Sequence, residues 1–98
     1  MNEDNYKEQF ALRINEVLHY IWDPIGVSDI PEARDEYDSY SDSVWRAVNE
    51  GKAVNEISEM LTKIATEQMG LESRKDHDKK VAEIIFDWER FLKHPYEL

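Results

Sequence analysis

Apolar positions along the chain fall into four helical stripes separated by breaks of unequal length. Tyr6, Phe10, Ile14, Val17, Leu18 and Ile21 recur at intervals of three and four, which predicts a first helix from about Asp4 to Ile21. Asp4 or Asn5 can cap its start, and Leu12 falls opposite the centre of the stripe, where a lone exposed leucine or a partner contact is expected. Tyr37, Tyr40, Val44, Ala47 and Val48, with Trp45 on the flank, predict a second helix over about Ala33 to Glu50, and Gly51 is placed to end it in the left-handed conformation. Asp38, Ser39, Ser41, Asp42 and Ser43 are poor helix formers, so this segment also reads as two pieces that break near Tyr40 and restart with Ser41 or Asp42 as a cap. Val54, Ile57, Leu61, Ile64, Ala65 and Gln68 mark a third helix, from about Val54 to Met69, with Gly70 as its stop. Gly51 to Ala53 is a short enough connection to predict a near-antiparallel hairpin between helices two and three. Val81, Ile84, Ile85, Trp88 and Leu92 mark the fourth, which starts near Ser73 to Asp76 in a weak capping box and closes at Pro95. Phe91 lies at the edge of that face and Phe86 points away from it.

The longest break, Trp22 to Tyr40, is the unusual part. Asp23-Pro24 ends the first helix because the residue before proline is pushed out of the helical region. Gly26 completes a tight turn, and Pro31 suits the first position of the next helix. Ile25, Val27 and Ile30 give this long connection enough apolar surface to be ordered, and long ordered connections tend to carry function. No strand-like alternation or internal repeat is present. The expected fold is all-α, a small four-helix bundle in one domain over residues 1–98, with a long ordered loop after the first helix.

Charge narrows the function classes. The chain of 98 residues carries a formal charge of −10, which opposes nucleic acid and anionic membranes as partners and favours a protein with a basic face. Residues 1–70 hold 15 of the 22 acidic side chains against 6 of the 12 basic ones, so the acidic surface belongs to that part. The chain has no cysteine, which removes disulfides, thiolate metal sites and Cys nucleophiles. The acidic N-terminus has no apolar run of the signal-peptide kind, and no stretch approaches a membrane span. A cytoplasmic protein is expected.

Candidate chemistry is sparse. His19, His77 and His94 share no ligand spacing. His19 reads as a surface residue or a partner of the helix C-terminus, and the run Arg74 to Lys80 as a solvated first turn. Asp35, Asp38 and Asp42 would share a helix face and could hold Mg²⁺ or Ca²⁺, but they lack the loop order of an EF-hand, and a solvated acidic stripe is the favoured reading. No nucleophile elbow or phosphate loop is present. The expectation is a non-enzymatic protein with no cofactor and no metal. The segment Arg34 to Tyr40 combines aromatic and acidic residues in the way interfaces do, with Arg34 able to pair with Asp23 or Asp38. Asp23, Asp35, Glu36, Tyr37, Asp38 and Tyr40 are therefore the candidate partner-binding residues. A carboxylate- or metal-dependent enzyme and a homo-oligomer joined through Leu12 or Phe86 are the alternatives.

W-D-P-I-G-V at 22–27 and D-E-Y-D-S-Y at 35–40, followed by E-G at 50–51 and V-x-E-I at 54–57, resemble a family of short bacterial helical proteins of unknown function. The resemblance spans roughly residues 10–70 and makes Trp22, Asp23, Pro24, Gly26, Asp35, Glu36, Tyr37, Asp38 and Tyr40 its characteristic positions. It implies a helical fold and, because some members lie beside polymorphic toxins, an immunity role. The chain departs from the family pattern at Ala53, where a Ser-like helix cap is usual.

Overall fold

The structure, a computed structural model, describes residues 3–33 and 35–93. It is an all-α bundle: α1 (Glu3–Val17), α2 (Asp38–Asn49), α3 (Val54–Lys63) and α4 (Lys75–Lys93). A π turn extends α1 over Leu18–Trp22, another extends α3 over Ile64–Gln68, and a 3₁₀ turn occupies Pro31–Ala33. No strand occurs among the described residues, and no described helix is long and apolar enough to cross a membrane.

The four stripes become one core. Phe10, Ile14, Leu18 and Trp22 meet Tyr37 and Val44, then Ile57, Leu61, Val81 and Ile85, all essentially inaccessible. The central element is α4, packed mainly against α3 and α1. The expected α2–α3 pairing is looser, and a groove of about 730 Å³ opens between them, floored by Tyr40, Ile57 and Met60.

Four boundaries differ from the pattern. The first helix starts at Glu3, so Asp4 and Asn5 lie inside it rather than capping it. Its last turn is wide: the Asp23 amide donates to Leu18 O at 2.9 Å, five residues back. The wider turn brings Trp22 into the core and leaves Ile21, expected on the buried face, 42% exposed. The second helix starts at Asp38, upstream of the expected break at Tyr40. Three-residue bonds from Glu36 N to Ala33 O and from Asp38 N to Asp35 O keep the preceding segment in turns. From there α2 runs unbroken through its serines, with the Ser43 hydroxyl donating back to Ser39 O at 3.2 Å. Ser73 lies outside α4, which starts at Lys75, so the expected capping box does not form. Pro95 and His94 lie outside the described residues.

The glycine stops hold. At the end of α2 the Gly51 amide donates to Val48 O and Lys52 N to Ala47 O, the paired bonds of a Schellman motif, and Gly51 takes a φ of +91°. At Ala53, Glu56 reaches back to the backbone N–H at 3.2 Å, which is one half of a capping box. Alanine has no oxygen for the other half.

Candidate functional site

The break after α1 is held at both ends by side chains that the apolar pattern does not reveal. Trp22 is fully buried, and its indole Nε1 donates to Asp78 Oδ1 at 3.0 Å. Asp78 is itself only 1% exposed and takes a second bond, from the Thr62 hydroxyl at 2.7 Å. One buried carboxylate thus joins the end of α1, the last turn of α3 and the start of α4. No cation forms an ion pair with it among the described residues, and these two hydrogen bonds offset its desolvation in part. The expected solvated first turn of α4 is therefore buried at this position. Its neighbours complete the join: Arg74 Nη2 donates to Trp22 O at 2.8 Å, and His77 Nε2 lies 2.8 Å from Ile21 O. A carbonyl only accepts, so Nε2 carries the proton there. These two donors satisfy carbonyls at the helix end that have no partner within the helix.

Asp23 organises the loop itself. It occupies the left-handed region at φ +34°, where Asp is among the few tolerated residues. Its Oδ1 accepts from Val27 N at 2.7 Å and from the Tyr37 hydroxyl at 2.9 Å, and its Oδ2 accepts from Ser28 N at 3.0 Å. Burial opposes the Asp23 charge, but the Val27 amide, the Tyr37 hydroxyl and Ser28 outweigh it and hold the carboxyl below the ordinary range. The Tyr37 hydroxyl also accepts from Ile25 N at 3.2 Å. Burial, and then the facing Asp23 carboxylate, push the Tyr37 phenol above its ordinary value. The Tyr37 ring packs 5.4 Å from the Trp22 ring, and Tyr40 meets that indole edge-on at 6.3 Å.

The six candidate residues therefore divide. Asp23 and Tyr37 turn inward and spend their polar atoms on the loop. Tyr40 is half-buried against the core. Asp35, Glu36 and Asp38 are exposed, as are Asp29 and Glu32 just before them. Among the described residues no Lys or Arg closes an ion pair with these five; Arg34, the expected partner of Asp23 or Asp38, lies outside the described residues. Ile25 and Ile30 stand exposed in the same segment, at 42% and 44%. The arrangement can present negative charge around apolar side chains on fixed backbone.

Sequence reasoning missed Thr62, Arg74, His77 and Asp78. The available signal was that Asp78 sits on the stripe with Val81, Ala82 and Ile85, at spacings of three, four and seven. A carboxylate on an apolar stripe marks a buried acceptor. His19 departs from expectation in the same direction: it is 1% exposed, edge-on to Tyr20 at 4.5 Å, with Nδ1 unpartnered. Asp42 pairs with Arg46 at 3.0 Å, and no three His, Asp or Glu side chains converge as a metal site among the described residues. No family model matches the chain, and no curated protein or solved structure matches it either.

Proposed function

We propose that the protein is a small acidic interaction module that binds a basic protein partner through the outer face of the loop and the first turn of α2. The observation that supports this is the exposure of five carboxylates, Asp29, Glu32, Asp35, Glu36 and Asp38, within ten residues whose backbone is tied to the core through Asp23 and Tyr37. A fixed array loses less entropy on association than a mobile acidic tail, and its field steers a cationic partner. Ile25 and Ile30 supply the apolar contact that carboxylates alone lack. The family resemblance adds an inhibitor or immunity role, in which carboxylates occupy a basic cleft where phosphates would lie.

The test is affinity capture from the native host at low and moderate salt, with Asp35→Lys/Asp38→Lys alongside. A basic protein held by the native chain, lost in the double variant and weakened by salt supports the proposal. A partner retained equally by the variant contradicts it at this surface.

A further inference from the structure

We infer a docking groove for a short basic amphipathic helix between α1 and α2, beside the carboxylate array and sharing Asp38 with it. The basic character of the occupant rests on the function proposed above; the position and shape of the groove do not. The groove, of about 510 Å³, is walled on α1 by Glu8, Leu12 and Asn15 and on α2 by Asp38, Asp42 and Trp45. Each set has the spacing i, i+4, i+7, so both walls present one ridge of about 11 Å, two helical turns. A third helix fits between two such ridges, anchored by its own i, i+3 or i+4, and i+7 side chains.

Three observations define the occupant. Leu12 stands 47% exposed on one wall, an aliphatic contact that the fold leaves uncovered. The rim carries three carboxylates, Glu8, Asp38 and Asp42, against the single cation Lys7 among its lining residues. Among the described residues Asp42 is held only by exposed Arg46, a surface pair worth little and readily exchanged for an incoming cation. Finally, Asn15 Oδ1 and Trp45 Nε1 are screened from solvent without a hydrogen-bond partner. Orphaned polar atoms of this kind are costly in the free protein, and they gain partners from an occupant only as the Asn15 and Trp45 side chains turn toward the groove on binding. A second copy of the chain is disfavoured as occupant, because it would bring the same acidic rim against this one.

The probe is a 14-residue acetylated, amidated peptide of leucine and lysine with the leucines on one helix face, titrated into ¹⁵N-labelled protein. A scrambled peptide of the same composition is the control. The expected result is a shift of the Trp45 indole resonance and of amides lining α1 and α2, with the Trp22 indole, bonded to Asp78 in the core, unmoved. Leu12→Ser, at an exposed position, weakens binding about tenfold with an unchanged melting midpoint. Shifts confined to residues 29–36, equal binding of the scrambled peptide, absence of any groove shift, or concentration-dependent shifts without peptide each overturn the groove. Asp35→Lys separates the two proposals. If it alone abolishes binding and Leu12→Ser has no effect, the loop surface stands and the groove falls; the reverse pattern retains the groove and removes the loop.

Discussion

Trp22 and Asp78, 56 residues apart in the chain, share a buried hydrogen bond of 3.0 Å that fixes where α1 ends relative to α4. Thr62 adds the third corner. The loop that follows therefore starts from a set point, and its outer carboxylates inherit that position.

Removing the Asp78 carboxylate leaves a buried donor, Trp22 Nε1, and a half-buried one, Thr62 Oγ1, without their acceptor. Asp78→Ala is expected to destabilise by roughly 2–4 kcal/mol, measured by urea unfolding. In a double-mutant cycle with Trp22→Phe, the coupling should be about 1–3 kcal/mol. Additive losses would show that the two side chains act independently.

The Asp23–Tyr37 pair predicts stability losses at both ends of the pH range. The folded-state pKa of Asp23 is lowered, so its contribution is present above the ordinary value of about 3.9 and is lost as pH falls through the folded value. Tyr37 is raised, so its contribution is present below about 10 and is lost as pH rises through its folded value. Tyr37→Phe removes one donor to Asp23, and carboxyl ¹³C titration should show the Asp23 pKa rising toward the ordinary range. An unchanged Asp23 pKa would mean that the hydroxyl contributes nothing to its charge.

Ala53 offers a stabilising change. Its backbone, at φ −81° and ψ 165°, already has cap geometry, and Glu56 already reaches back to it. Ala53→Ser supplies the missing acceptor and should stabilise the fold by about 0.5–2 kcal/mol in thermal or urea unfolding. No gain, or a loss, would show that the start of α3 is limited by packing of Val54 rather than by its cap.

His19 tests the cost of an unpartnered buried group. His19→Leu removes the orphaned Nδ1 at similar volume, and its unfolding midpoint should match or exceed that of the native chain. A loss above about 2 kcal/mol would assign the ring a contact that its hydrogen-bonding pattern does not show.

The helices and their faces were legible in the sequence because Phe10, Ile14, Leu61 and Val81 obey one period and the glycines after α2 and α3 are unambiguous stops. The site was legible only in outline. Tyr37 was placed inward by periodicity, but the bond from its hydroxyl to Asp23 depends on a chain reversal that no local pattern encodes. The π turn at Leu18–Trp22 depends on what the indole finds in the core, and Asp78 was hidden within a run of charges. Local spacing specifies a face; it does not specify which polar group on that face is buried.

Amide hydrogen exchange at Val27 and Ser28 tests the central claim most directly, that the long loop is a fixed platform rather than a mobile segment. Both amides donate to Asp23, at 2.7 and 3.0 Å, in a region without regular helix. The expected result is protection of at least about a hundredfold in the native protein, lost in Asp23→Ala while core amides such as Leu61 stay protected. Exchange of both amides at unprotected rates in the native protein would contradict the account.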